Sequence, residues 1–180
     1  PDCPTLTNGQ SEDYNVYVSI PQAQLNISAD SVCIAQTTTI DATIDGKVGS
    51  IEWDFGADAT PTTATGQGPF SVSYSSAGYK TITTTINGTV VNKTDSAIWV
   101  GHTPQASFNK ADTLLCVKNA TVNFTNTSTI TTGTLNYSWT FGDGNTSNAA
   151  HPNHSYLSVF PYTVKLFVIS NIGCADSVQK

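Results

Sequence analysis

The 180-residue chain has no arginine, no methionine and only 11 % charged residues, less than half the ~25 % of an average soluble domain. Each shortage excludes something. Seven cations, all lysine, face thirteen carboxylates, for a net charge of −6. A nucleic-acid binder needs a cationic face to neutralise phosphates, preferably with arginine forks, so no nucleic-acid partner is expected. An anionic membrane surface repels the same charge balance. Long apolar runs are missing too, Leu166-Phe167-Val168-Ile169 being among the longest. That is far short of the ~20 residues of a membrane-spanning helix, and no membrane insertion is expected. The chain begins at Pro1 without a signal peptide, which reads as a mature or excised piece of something larger.

What is present is 38 % hydrophobic and 9 % aromatic, with Thr, Ser and Asn in place of charge. Disordered chains combine low hydrophobicity with high charge, so this composition favours a folded protein. Thr, Val, Ile and aromatics are strand formers, and no Ala/Leu/Glu/Lys stretch competes for helix. The composition reads as all-β. Four cysteines, Cys3, Cys33, Cys116 and Cys174, are widely spread. None forms a Cys-x-x-Cys motif or has a histidine at ligand spacing. An even number in an acidic, Thr/Asn-rich chain points to an extracytoplasmic compartment and disulfides rather than free buried thiols.

The chain repeats itself. Ile51-Glu52-Trp53-Asp54-Phe55-Gly56 recurs as Tyr137-Ser138-Trp139-Thr140-Phe141-Gly142. Downstream, Pro69-Phe70-Ser71-Val72-Ser73-Tyr74 matches Pro152-Asn153-His154-Ser155-Tyr156, and Thr81–Ile86 matches Thr163–Val168. Thr94-Asp95-Ser96-Ala97 then parallels Ala175-Asp176-Ser177-Val178. Landmarks kept in one order indicate two modules, 24–101 and 102–180, hinged at His102-Thr103-Pro104. Within the second, Leu135, Tyr137, Trp139 and Phe141 fall on one face of a strand by period-two alternation. Asp143-Gly144 follows as a turn, and Tyr162, Val164, Leu166 and Val168 form another one-sided stripe. Short strands between Gly/Pro/Asn turns suggest a β-sandwich, with each mid-strand tryptophan filling a core.

Trp139-Thr140-Phe141-Gly142-Asp143-Gly144, Pro152-Asn153-His154-Ser155-Tyr156 and Tyr162-Thr163-Val164-Lys165-Leu166-Phe167-Val168 together resemble the polycystic-kidney-disease (PKD) domain. That family's pattern is W-x-F-G-D-G, P-x-H-x-Y and Y-T-V-x-L-x-V. The first module resembles a divergent member. It keeps Trp53, Asp54, Phe55, Gly56, Tyr74 and Gly78, has Ala57-Asp58-Ala59 for the Asp-Gly turn, and places Lys80 where the family tyrosine stands. The second module departs at Thr140 and at Phe160, where a glycine is expected. The resemblance implies two tandem immunoglobulin-like (PKD-type) β-sandwiches. It also implies pairing of Cys116 with Cys174, leaving Cys3 with Cys33. Residues 1–23 stand apart. Asn8-Gly9-Gln10-Ser11-Glu12-Asp13-Tyr14-Asn15-Val16-Tyr17-Val18 resembles the closing strand of a GEVED domain, which implies the tail of an upstream module. That neighbourhood resembles secreted or cell-surface Bacteroidetes-type proteins, exported by a type IX route.

No acid/base pair suited to catalysis is evident. Only Glu12 and Glu52 are glutamates, and His151 and His154 belong to the P-x-H-x-Y loop, where His154 is expected to pack or hydrogen-bond locally. No nucleophile elbow is present. Asp143-Gly144-Asn145 invites a calcium reading, but without an Asp-x-Asp-x-Asp-Gly loop a hairpin turn is favoured. Trp53, Phe55, Trp139 and Phe141 are expected in the cores. Trp99, Tyr79 and Phe160 are less determined and are the candidates for ligand contact. The expected role is a non-catalytic extracellular spacer or stalk, with adhesion or protein–protein contacts and with other domains of the same polypeptide as partners. The alternative is an appendage of a secreted hydrolase, such as a metallopeptidase, that holds an extracellular polymer such as collagen or chitin.

Overall fold

The computed structural model describes residues 21–46, 48–111 and 120–180. Among them the regular structure is strand, with no helix. The GEVED-like stretch, Cys3 and Cys116 lie outside the described residues.

The first half of the chain contains β1 (Gln22–Ile27), β2 (Ser31–Cys33), β3 (Thr37–Asp45), β4 (Ile51–Asp54), β5 (Ala59–Thr60), β6 (Thr63–Thr65), β7 (Phe70–Tyr74), β8 (Gly78–Ile86) and β9 (Thr89–Gly101). They form a four-stranded sheet ordered β1-β3-β7-β5 and a five-stranded sheet ordered β2-β9-β8-β4-β6. The second half contains β10 (Phe108–Lys110), β11 (Ala120–Asn126), β12 (Leu135–Thr140), β13 (Thr146–Ser147), β14 (Asn153–Tyr156), β15 (Lys165–Ser170) and β16 (Ala175–Gln179). These make the sheets β10-β11-β14 and β13-β12-β15-β16. The pairing of β2 with β9 is parallel. The other strand pairs are antiparallel.

Alternation sets which face each strand buries. On β3 the buried residues are Thr38, Ile40 and Ala42; on β8 they are Lys80, Ile82, Thr84 and Ile86. On β15 they are Leu166, Val168 and Ser170. β15 opens at Lys165, so Tyr162 and Val164 of the expected stripe precede it. Val164 is still buried, and its backbone exchanges hydrogen bonds with Lys180. Asn87-Gly88, both at positive φ (50° and 76°), turns β8 into β9, as a two-residue hairpin requires.

Two hydrophobic clusters result, with no residue in common. Trp53, Phe55, Ile40, Val72 and Tyr74 fill one; Trp139, Phe108, Phe124, Phe141 and Leu166 fill the other. Trp53 is 2 % exposed and Trp139 fully buried. Each indole donates its N–H to a loop carbonyl, Trp53 to Gly66 (2.8 Å) and Trp139 to Ala149 (2.9 Å). Burying a tryptophan without such a partner would leave its donor unsatisfied.

The expected cysteine pairing is corrected. Cys33, at the end of β2, is bonded to Cys174, just before β16, across a sequence separation of 141 and a Cα–Cα distance of 5.6 Å. Neither Cys116–Cys174 nor Cys3–Cys33 can coexist with that bond. The physical reason is position: β2 runs parallel to the end of β9, with Cys33 beside Gly101. This carries Cys33 to the very point where the chain passes into the second half.

Candidate functional site

Three places collect the polar and aromatic side chains singled out by the motifs. The first is the corner of the second unit built from Gly142-Asp143-Gly144 and His154. Gly142 has φ of 84°, and a Cβ there would lie 2.7 Å from the Thr163 carbonyl oxygen, so the turn has no room for another residue. The Asp143 carboxylate accepts hydrogen bonds from the backbone N–H of Asn145 (3.1 Å), from its side-chain amide (3.0 Å) and from His154 Nε2 (2.7 Å). Burial raises the pKa of Asp143, but the hydrogen bonds from His154 and Asn145 and the charge of His154 outweigh it and hold the carboxyl down at about 2. The His154 ring lies flat on Phe141, centroids 4.2 Å apart, and edge-on to Tyr156. Tyr156 donates to the Phe141 carbonyl (3.1 Å) and stacks on Tyr162 (4.4 Å). Burial first, then the charges of Asp143 and Tyr162, push the Tyr156 phenol up to about 12. These contacts brace a turn. His151 accepts from the Asn126 N–H (3.2 Å) on the surface.

The matching corner of the first unit is built from other chemistry. Asp58 accepts from Lys80 Nζ and from Ser76 Oγ, and Lys80 also donates to Ser76 Oγ at 3.1 Å. The Lys80 ammonium sits 5.4 Å above the Tyr74 ring, a cation–π distance. Burial raises the Asp58 pKa, and the hydrogen bonds from Lys80 and Ser76 with the Lys80 charge more than reverse it, so the carboxyl lies below its usual range. Burial and the Asp58 charge push Tyr74 up to about 12, and its hydroxyl has no hydrogen-bond partner among the described residues. Asp54 accepts from the Gly56 N–H (2.8 Å), closing its own turn.

The third place is the junction. Gly101 ends β9 against the second unit: a Cβ there would fall 1.9 Å from Ile172 Cδ1, which would have to move, and 3.7 Å from Cys174 Sγ. His102 Nδ1 lies 3.2 Å from Thr132 Oγ1 of the second unit. Beside the disulfide, Trp99 and Gly101 from the first unit and His102, Thr132, Asn171 and Ile172 from the second line a small cleft of about 80 Å³. That is far below the small-molecule range.

The sequence-marked candidates fall in different surroundings. Tyr79 is 67 % exposed and Trp99 half-buried; they are cross-strand neighbours on β8 and β9, with ring centroids 4.7 Å apart. Both project from the outer face of the five-stranded sheet, since Lys80, Ile98 and Val100 beside them point inward. Phe160 is 72 % exposed in the loop between β14 and β15, next to exposed Leu157 and Val159. Glu52 faces solvent. Among the described residues no group of three or more His, Cys, Asp or Glu side chains is arranged to hold a metal ion. Sequence reasoning missed the Lys80–Asp58 pair as a unit. Its signal was there: two opposite charges, in a chain poor in charge, both at departures from the repeat.

Two solved PKD domains are similar to this chain. The PKD1 domain of the Vibrio cholerae metalloprotease PrtV shares 34 % identity at a TM-score of 0.38, covering 43 % of this chain and 91 % of that one. The PKD1 domain of Vibrio anguillarum Epp shares 28 % at a TM-score of 0.40, covering 44 % and 90 %. The sequence profile of the PKD domain matches residues 101–180. Within that range lie the tryptophan, the Asp-Gly turn, the braced histidine and the paired tyrosines, and residues 101–180 form a PKD domain.

Proposed function

We propose that this region is a non-catalytic extracellular spacer: two PKD-type sandwiches in tandem, a divergent one over 24–101 and the PKD domain after it. In this reading they hold other parts of the same polypeptide at a set distance and direction. The observation that carries it is the Cys33–Cys174 bond between the two units. Units joined by a short hinge with a small interface move relative to each other by default, and a covalent tie at the hinge removes that freedom. A disulfide also fits an oxidising compartment outside the cytoplasm. The buried Trp53 and Trp139, each bonded through its indole to a loop carbonyl, support descent of both units from one module.

Solution scattering tests the reading. The oxidised protein is expected to fit one elongated shape, and Cys33→Ser/Cys174→Ser to show a larger and more variable radius of gyration. Equal curves would contradict it, as would turnover of peptide or glycan substrates by the purified chain. A second reading, an appendage that holds an extracellular polymer for a secreted hydrolase, is favoured by the exposed Tyr79 packed on half-buried Trp99 and by likeness to a domain of the metalloprotease PrtV.

A further inference from the structure

We propose that Asn87 is a site of self-modification: its side chain cyclises onto the backbone nitrogen of Gly88 and hydrolyses to aspartate or isoaspartate, activated by the N–H groups of Gly49 and Ser50. Asn87 and Gly88 are exposed at the tip of the β8–β9 hairpin, both at positive φ. The Asn87 side-chain oxygen accepts from the N–H of Gly49 (2.7 Å) and from that of Ser50 (3.0 Å). Two backbone donors on one carbonyl oxygen are the arrangement of an oxyanion hole. They polarise the Asn87 Cγ carbonyl and stabilise the negative charge its oxygen takes up when a nucleophile adds. Gly49 makes this close approach possible, since a Cβ there would lie 2.8 Å from that oxygen. The nucleophile is the next nitrogen along the chain, and Gly88 has no side chain to obstruct it.

The Gly88 nitrogen gives up its proton to solvent and bonds to Asn87 Cγ; the bond from Cγ to Nδ2 breaks, and ammonia leaves. Water then opens the cyclic imide. Opening at one carbonyl gives aspartate; opening at the other gives isoaspartate, which routes the main chain through the side-chain carbon. The second unit carries an internal control. Asn171 Oδ1 accepts from the Thr134 N–H (3.3 Å), and a Cβ on Gly133 would lie 2.5 Å from it, so the same cradle recurs. There the next residue is Ile172, whose branched side chain crowds its own nitrogen. The other Asn-Gly pair, Asn8-Gly9, lies outside the described residues. Isoaspartate at 87 would lengthen the backbone of the two-residue turn that sets Ile86 opposite Thr89, and so loosen the first unit alone.

The test is prolonged incubation of the oxidised chain in neutral buffer, beside a sample in concentrated urea, followed by peptide mapping that separates aspartate from isoaspartate. Asn87 is expected to convert about tenfold faster in the folded chain than in urea, where the cradle is lost; a water-excluded oxyanion hole contributes more. Asn171 is expected to stay intact. Gly49→Ala, which crowds the carboxamide off its donors, is expected to slow Asn87 to its rate in urea. The isoaspartate fraction is expected to show a lowered first-unit melting transition and an unchanged second one. Conversion of Asn87 no faster in the folded chain than in urea overturns the proposal. So does conversion of Asn171 at the same rate as Asn87, or a rate unchanged in folded Gly49→Ala. If Gly49→Ala does not fold, the ratio of folded to urea rates decides alone.

Discussion

The two sandwiches brace the same corner with different chemistry. In the second, an aspartate at a Gly-Asp-Gly turn is held by a histidine stacked on Phe141, and Tyr156 leans on Tyr162. In the first, the corner carries Asp58 and Lys80, and the Lys80 ammonium reaches Asp58 and covers the Tyr74 ring. The two residues, which look independent along the sequence, form one ion pair in space. Both units show a tied turn and a covered tyrosine, made with different side chains.

The largest effect tests what the units share. Trp53→Ala and Trp139→Ala are each expected to cost about 3–5 kcal/mol in their own unit, measured by calorimetry. Because the cores share no residue, each variant should lower one transition and leave the other in place. A single merged transition shifted by both variants would break the comparison.

Next come the ties. Asp58→Ala leaves the Lys80 ammonium, only 9 % exposed, without its carboxylate. The expected loss is about 2–3 kcal/mol, less than for a wholly buried pair, because Asp58 keeps 30 % of its side-chain surface in water. A loss below about 0.5 kcal/mol would class the pair with ordinary surface ion pairs.

The carboxylates also set the response to acid. Asp143 is held at about 2 in the folded protein, against an ordinary value of 3.8. Its contribution is therefore complete above pH 3.8 and fades as pH falls through about 2. A carboxyl-carbon NMR titration should show Asp143 with a midpoint near 2, and His154→Ala should move it upward. A midpoint unchanged by that substitution would remove His154 from the account.

The smallest effect is the sharpest contrast. Tyr156→Phe removes a hydrogen bond to the Phe141 carbonyl and is expected to cost about 1 kcal/mol. Tyr74→Phe removes a buried hydroxyl with no described partner and is expected to be neutral or slightly stabilising. Equal costs would mean the two tyrosines are held alike.

Much of this was legible because the signals are local. Alternation on β12 and β15 identifies their buried faces, and Trp139 sits in a strand whose pattern points it inward. The Asp143 turn and the local role of His154 follow from turn chemistry. The disulfide was not legible. The resemblance implies Cys116 with Cys174 and leaves Cys3 for Cys33, whereas Cys33 reaches Cys174 only because β2 lies parallel to the last residues of β9. The Tyr79–Trp99 pair likewise depends on the register of β8 against β9, which a bulge shifts between Lys80 and Ile82.

The tie between the units is tested most directly by a spin-label distance between one exposed site on each, such as Lys93 and Lys165 replaced by labelled cysteines in the oxidised protein. A single narrow distance that broadens in the Cys33→Ser/Cys174→Ser background is the expected result. A broad distribution in the oxidised protein, or the same narrow one without the disulfide, would contradict the role given to Cys33–Cys174.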